Sequence, residues 1–311
     1  MLHIFAHVDV DGMVCHAIAE MWARESGIAT QHYYVDYQRI SIALRKLSKA
    51  IGPEDEVIIA DIGYSKNLVD SFLGQHGDFA SKVSWFDHHR WDEEALTKVG
   101  SALRKLIVNE KLCASEILQK KLLPESEIAK QLARLARAHD FSGKGSRQGD
   151  FDFACRVQDV ITSGYPKEMI VNQLAEGIVW SANFDIAYKQ YQVIKADALR
   201  RMNETVEKYC ISIDGVVANV ALAFALDALE AKDAKRYLLK ESKCDVVIAV
   251  WSDGRIAYEI VSEKFTVISR KINDNFKGGG RGLVGGATYP QRITLEKRTQ
   301  CFDEIIKALE E

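Results

Sequence analysis

The 311-residue chain has no apolar run near the ~20 residues that span a bilayer, so no membrane helix is expected. It opens without the basic stretch, apolar stretch and small-residue cleavage site of a secretory signal, which predicts a cytoplasmic protein. Its six cysteines, Cys15, Cys113, Cys155, Cys210, Cys244 and Cys301, never fall in a CxxC pair. That spacing excludes a zinc ribbon and reads as reduced thiols filling a core. No charge sign dominates: 41 Lys and Arg face 44 Asp and Glu, a net −3. Any site for a polyanion must therefore be a local patch. Internal repeats and low-complexity tails are also missing. What remains, 47% hydrophobic and 27% charged residues, is a globular composition, enough for one large or two ordinary domains.

The first half alternates short apolar runs with amphipathic stretches. Strands are predicted at 2–7, 32–37, 57–61, 83–87 and 105–110, with a helix after the first and another over 40–51. Near-continuous apolar strands separated by helices imply a parallel sheet covered on both faces. Helices are expected from about 113 to 208, broken by the glycine-bearing segment 141–151, with a long charged helix over 182–209. A second α/β unit follows: a strand at 215–225, a helix at 227–242 and a hairpin over 245–262 turning at Asp253-Gly254. A further helix, a glycine-rich loop at 277–290 and a last helix at 292–310 complete it. The fold class is α/β: a doubly wound parallel-sheet domain (1–181), a helical connector (182–209) and a smaller α/β domain (210–311).

The acidic residues and histidines of the first half collect where strands end. Asp9 and Asp11 follow the first strand in HVDVDG (7–12), behind His7. Asp61 ends the third, Asp87-His88-His89 end the fourth, and His139-Asp140 close a helix. In an open parallel sheet, ligands bind outside the carboxyl ends of the strands. So many carboxylates on one rim repel one another, and divalent cations are the natural counter-charge. A carboxylate and imidazole set without thiolates favours Mn²⁺, Mg²⁺ or Fe²⁺, and there are donors for two ions with one carboxylate bridging. Taken singly, each group has a plainer reading. Asp61 could be a helix N-cap, His7 a core histidine and 87–89 a surface turn. His3, His16, His32 and His76 lack such context and read as structural or surface residues.

HVDVDG (7–12), Asp61 in IIADIG, FDHH (86–89) and Asp140 resemble, in order and spacing, the motifs of the DHH phosphoesterase superfamily. GGGRGLVGGA (278–287) is similar to that family's C-terminal DHHA1 substrate domain. The family includes RecJ-type exonucleases, nanoRNase-type oligoribonucleases, phosphoadenosine-phosphate phosphatases and cyclic-dinucleotide phosphodiesterases. By this resemblance His7 and Asp9 would bind one Mn²⁺, and Asp11, His88 and Asp140 the other, with Asp61 bridging. His89 would lie beside the scissile phosphate, with Asp87 orienting the histidines. The family's GGGH reads Gly278-Gly279-Gly280-Arg281 here, so the cation is kept but cannot exchange a proton at neutral pH.

Glycine allows backbone N–H groups to approach an anion, and Lys264, Arg270, Lys271, Lys277 and Arg281 surround the run. Trp85, Trp91, Trp251 and Tyr289 are candidate stacking platforms for a base, and Lys144 or Arg147 could reach the site from 142–149. The expected activity is an Mn²⁺-dependent phosphodiesterase on short single-stranded RNA or DNA or small nucleotides, bound between the two domains. A nucleotide phosphomonoesterase or cyclic-nucleotide phosphodiesterase is the alternative on the same scaffold. A catalytically silent nucleotide-binding protein is the third reading. No membrane partner is expected, and a homodimer is compatible with the sequence.

Overall fold

The computed structural model describes residues 1–36, 39–70, 78–141, 146–147 and 149–311, with Asn67, Asp70 and Arg281 described by backbone alone. His76, Lys144 and the Arg281 side chain therefore lie outside what is described. Residues group into two compact units, 1–190 and 191–311.

The first unit runs β1 (Leu2–Ala6), α1 (Val10–Glu25), β2 (Thr30–Tyr34), α2 (Ile40–Leu47), β3 (Glu56–Ala60), α3 (Lys66–Asp70), β4 (Val83–Asp87), α4 (Glu93–Gly100) and β5 (Lys105–Val108). It continues through α5 (Ala114–Leu122), α6 (Glu127–Asp140), α7 (Asp150–Thr162), α8 (Lys167–Ala175) and α9 (Ala182–Asn203). The five strands form a wholly parallel sheet in the order β2-β1-β3-β4-β5. Their side chains alternate between two cores. Ile4 and Ala6 of β1 join Ile58 and Ala60 of β3 under α1 and α5–α8. Phe5, Val57 and Ile59 face the other way, against residues of α2, α3 and α4. This two-sided burial is why the strands read as continuous apolar runs. Each fully buried large apolar side chain contributes about 1.5–3 kcal/mol.

In this strand order the chain leaves β1 on one side and returns on the other, so β1 and β3 flank the topological switch point. HVDVDG follows β1 and Asp61 follows β3, which puts both at that crevice. Gly12 lets the start of α1 close on the preceding turn: a Cβ there would lie 2.1 Å from the His7 carbonyl oxygen.

The second unit begins within α9, at Tyr191. It adds β6 (Glu207–Ile213), β7 (Val216–Phe224), α10 (Ala231–Ser242), β8 (Val246–Val250), β9 (Arg255–Ile260), α11 (Thr266–Asn275), β10 (Gly279–Arg281), β11 (Val284–Thr288) and α12 (Arg298–Glu310). Its sheet has the order β10-β11-β9-β8-β7-β6, antiparallel except for β7 against β8. Ile248 and Val250 pack on one face with α11 and α12, while Val247 and Ala249 pack on the other with α10.

Several boundaries differ from the sequence reading. Strand two is Thr30–Tyr34, the α2 helix stops at Leu47, and strand five stops at Val108. The long helix ends at Asn203, and β6 occupies 207–213, where EKYCISI alternates in burial as a half-exposed edge strand should. The last helix starts at Arg298. The glycine-rich segment is a hairpin rather than a loop: β10 and β11 pair antiparallel at the edge of the sheet. Gly285 is there for packing as well, since a Cβ would lie 2.1 Å from the Tyr258 hydroxyl oxygen.

The steric account is tested by alanine substitution. Gly12→Ala should lower the unfolding free energy by about 1–3 kcal/mol, the range for overpacking. Gly279→Ala, where an added Cβ meets nothing within 4 Å, should change it by less than about 0.5 kcal/mol. Urea denaturation of both variants gives the comparison.

Candidate metal centre

Each polar residue of the rim is held by the element that delivers it. Asp9 caps α1, with Oδ1 accepting from Gly12 N at 3.0 Å, and Oδ2 lies 2.9 Å from His7 Nδ1. Gln158, on α7, accepts from Val10 N at 3.1 Å and fixes the same helix start. Asp11 is buried, and its oxygens accept from Ala114 N (2.7 Å) and Ser115 N (3.0 Å) at the start of α5. Asp9 is thus the N-cap of its own helix and Asp11 accepts from the first N–H groups of another, which does not compete with a chemical role. Asp61, where the sequence allows a helix N-cap, is not one, since the next helix, α3, starts only at Lys66. A carboxylate has about four lone-pair positions.

Asp61 sits at φ 55°, in the left-handed region that few residues other than glycine adopt. Its N–H is tied to the Phe86 carbonyl at 3.1 Å. This turns the carboxylate into the crevice, where it is 3% exposed. Oδ1 lies 3.3 Å from His88 Nε2, and Oδ2 is buried without a hydrogen-bond partner, its nearest basic group being His7 Nδ1 at 4.0 Å. His88 Nε2 also lies 3.3 Å from Asp140 Oδ2, at the end of α6. One ring nitrogen thus faces two carboxylate oxygens.

Three groups of donor atoms, each within 4.8 Å, result among the described residues: His7-Asp9-Asp61, Asp11-His88-Asp140 and Asp61-His88-His89. Asp61 and His88 each belong to two of them. Asp87 belongs to none. Fully buried, it accepts from His89 Nδ1 at 2.7 Å and from the Trp91 indole N–H at 2.6 Å.

The electrostatics follow from the crowding. Burial, then the charges of Asp9, Asp11 and Asp140, push the Asp61 carboxyl well above the usual range. Burial, with the charge of Asp9, pushes Asp11 up to about 6 despite its bonds to Ser115 and Ala114. Asp9 and Asp87 go the other way. Burial opposes their ionisation, but His7 beside Asp9, and His89 with Trp91 beside Asp87, outweigh it and hold both carboxyls low. An unpartnered buried oxygen, an imidazole shared by two carboxylates and two carboxyls raised by mutual repulsion fit a centre for divalent cations. The donors are oxygen and imidazole nitrogen only, as suits Mn²⁺, Mg²⁺ or Fe²⁺.

The structure brings His7, Asp9, Asp11, Asp61, His88, His89 and Asp140 together and puts Asp87 behind His89. Trp91 is the contributor that sequence reasoning misplaces. In sequence it is a candidate stacking platform, yet it is 6% exposed and serves Asp87. Its position four residues past Asp87 is the available signal. Trp85, Trp251 and Tyr289 are likewise buried, so none of the four offers a ring face to a base. His3, His16 and His32 bond within the fold, to Tyr33 and Asp55, to each other and to Glu20. Gly278, Gly279 and Gly280 lie in or next to β10 of the second unit.

No family model and no curated protein matches the sequence. Solved structures do. RecJ from Thermus thermophilus in complex with Mn²⁺ aligns with 99% of this chain at a TM-score of 0.62 and 13% identity. This chain spans about half of that protein, 51% of its length. The chain has the fold of the DHH phosphoesterases. A second exonuclease RecJ, bound to manganese, aligns over 99% of this chain and 89% of its own, with a TM-score of 0.58 and 14% identity. An exopolyphosphatase-related protein from Bacteroides fragilis aligns over 100% and 93%, with a TM-score of 0.53 and 12% identity. At these identities the likeness is one of DHH fold. No helix among the described residues is long and apolar enough to cross a membrane.

The raised carboxyls make a signed prediction for protein kept in EDTA. A carboxyl whose pKa is higher folded than unfolded binds its proton more tightly in the native state. Its stabilising effect is full at low pH and is lost as pH rises. Asp11, at about 6 against 3.8, should therefore cost the metal-free protein about 1.4 kcal/mol per pH unit between about pH 4 and 6. Asp9 and Asp87, held low, act only below that window. Thermal unfolding against pH should show the fall, and Mn²⁺ should remove it. Stability that rises with pH across this window in EDTA would contradict the assignment.

Proposed function

We propose that the chain is a metal-dependent phosphoesterase that hydrolyses phosphodiesters of short oligonucleotides or small nucleotide phosphates. The sharing of Asp61 and His88 between donor clusters at the switch point carries the reading. The fold held in common with RecJ supports it. His7, Asp9 and Asp61 are assigned to one cation and Asp11, His88 and Asp140 to the other, with Asp61 common to both. When bound, such ions, Mn²⁺ first, supply Lewis acidity toward a phosphoryl oxygen and a water of lowered pKa.

The remaining chemistry belongs to the chain. Asp87, ionised and buried, accepts the His89 Nδ1 proton and fixes the tautomer and the plane of that ring. Nε2 is then the atom of His89 that takes up and returns a proton beside the reacting phosphate. Trp91 occupies the second Asp87 oxygen and keeps that carboxylate from turning away. Burial of Asp61 and His88 keeps bulk water from competing for their donor atoms. In the second unit, Gly278 and the exposed backbone of Gly279 and Gly280 are assigned to contact a substrate phosphate, with Arg281 next in the chain.

Purified protein with Mn²⁺ should release mononucleotide from a 5′-phosphorylated diadenylate. Asp61→Ala should reduce turnover at least about a thousandfold. His89→Gln should reduce it by about 10²–10⁴, the usual worth of a positioned acid or base, while Mn²⁺ binding by calorimetry persists. A chain that binds Mn²⁺ and nucleotide but turns over no nucleotide phosphoester would refute the proposal and leave the binding-protein reading.

A further inference from the structure

Asp11 and Asp140 belong to one donor group but reach it from different helices. Asp11, in the first turn of α1, is held by the Ala114 and Ser115 N–H groups at the start of α5. Asp140 is the last residue of α6. Their separation therefore depends on how the start of α5 meets the end of α6, and one ion pair spans that junction.

Arg137 Nη1 donates to Glu116 Oε2 at 2.7 Å and to the Lys111 carbonyl at 3.1 Å. The same Glu116 oxygen accepts from Cys113 N at 3.0 Å, the N–H just before the two that hold Asp11. Glu116 thereby caps α5 from its third position. At the other helix, Arg137 stands one turn before Asp140. Its carbonyl accepts from Phe141 N at 3.0 Å, and its guanidinium carbon lies 4.6 Å from the centre of the Phe141 ring. That ring is 6.4 Å from the ring of His88, the third donor of the group. One side chain touches the loop before α5, the cap of α5 and the residue that follows Asp140.

A fully solvated ion pair holds little in place. This one is different: the Glu116 side chain is 16% exposed and that of Arg137 30%, and each has further partners that fix it. A planar guanidinium can stack on a ring and hydrogen-bond at its edge together. The apolar faces of the two helices meet elsewhere, through Ile117, Leu118, Leu132 and Leu135. Packing of α5 on α6 does not need the pair, which acts on their polar ends.

We propose that Arg137, acting through Glu116, is a positioning residue for the Asp11-His88-Asp140 centre and sets the spacing of its two carboxylates. This rests on the assignment of those three residues to one cation. The other group, His7-Asp9-Asp61, is delivered by the segments that follow β1 and β3 and should not feel the pair.

Mn²⁺ calorimetry on the whole chain reads the two sites separately in two backgrounds. His7→Ala leaves the Asp11-His88-Asp140 site, and Asp140→Asn leaves the other. Adding Arg137→Met to the first background should weaken Mn²⁺ about tenfold, the lower end for outer groups that hold metal ligands. Adding it to the second should change affinity less than about twofold, as for independent sites. Glu116→Gln keeps an acceptor for Cys113 N but loses the charge, and it should show the same selectivity. The two together should be no worse than the weaker single variant, because they act as a unit. Thermal unfolding in EDTA checks that each variant folds, and Glu116→Gln decides the matter if Arg137→Met does not. No weakening in the His7→Ala background, equal weakening in both backgrounds, or additive losses in the double variant each overturns the proposal. The two readings fail separately. Wild type that takes up no Mn²⁺ removes the metal centre and the positioning role together, whereas Mn²⁺ binding that neither substitution weakens removes the positioning role alone.

Discussion

The first unit is organised around the mutual repulsion of carboxylates that burial makes worse. Asp9, Asp11, Asp61 and Asp140 converge on one crevice, and each charge raises the cost of ionising Asp61. Two unit charges 4 Å apart near a protein surface interact by about 4 kcal/mol. A fold does not gather several such pairs without an opposing term. Some of it is internal: His7 against Asp9, backbone N–H groups against Asp11, and His88 between Asp61 and Asp140. These partners do not reach Asp61 Oδ2, and the donor geometry left over is that of a cation centre.

The surrounding structure is strained or tightly packed where that convergence demands it. Asp61 takes a left-handed backbone so that a strand end can turn its carboxylate inward. Gly12 permits a helix to begin against the backbone of the turn that carries His7. Asp11 spans two roles, since the same carboxylate that faces the centre also caps α5. Ionisation at the centre is thereby tied to the packing of α5 against α1.

Much of this is legible in the sequence because it is written in local, periodic terms. Continuous apolar runs ending in His7-Val8-Asp9, Asp61 and Asp87-His88-His89 specify buried parallel strands with polar ends, and the sheet delivers them to one rim. Less legible are features that depend on contacts distant in sequence. Strand β6 is hidden because Glu207–Ile213 carries charge and polarity suited to an edge. The segment 277–290 reads as a loop because glycines that let β10 and β11 close over Tyr258 look, in sequence, like glycines that confer freedom. Trp91 reads as a platform because nothing local says that its N–H is needed by a buried carboxylate. A pocket beside Val8 brings Tyr34 and Tyr165 together across more than a hundred intervening residues, a juxtaposition that no local pattern announces.

The division between what is legible and what is not has a physical basis in how such a site separates reaction from recognition. The donor set must meet one requirement, oxygen and nitrogen lone pairs around a small space, and residue type at strand ends nearly suffices to encode it. Recognition is built from side chains that need not be charged or adjacent in the chain. Tyr34 ends an edge strand and Tyr165 lies on a turn between helices, and both pack against the core under β1 and β3. One fold is in any case shared by RecJ proteins bound to manganese and an exopolyphosphatase-related protein at identities of 12–14% to this chain, and a fold does not by itself fix a substrate.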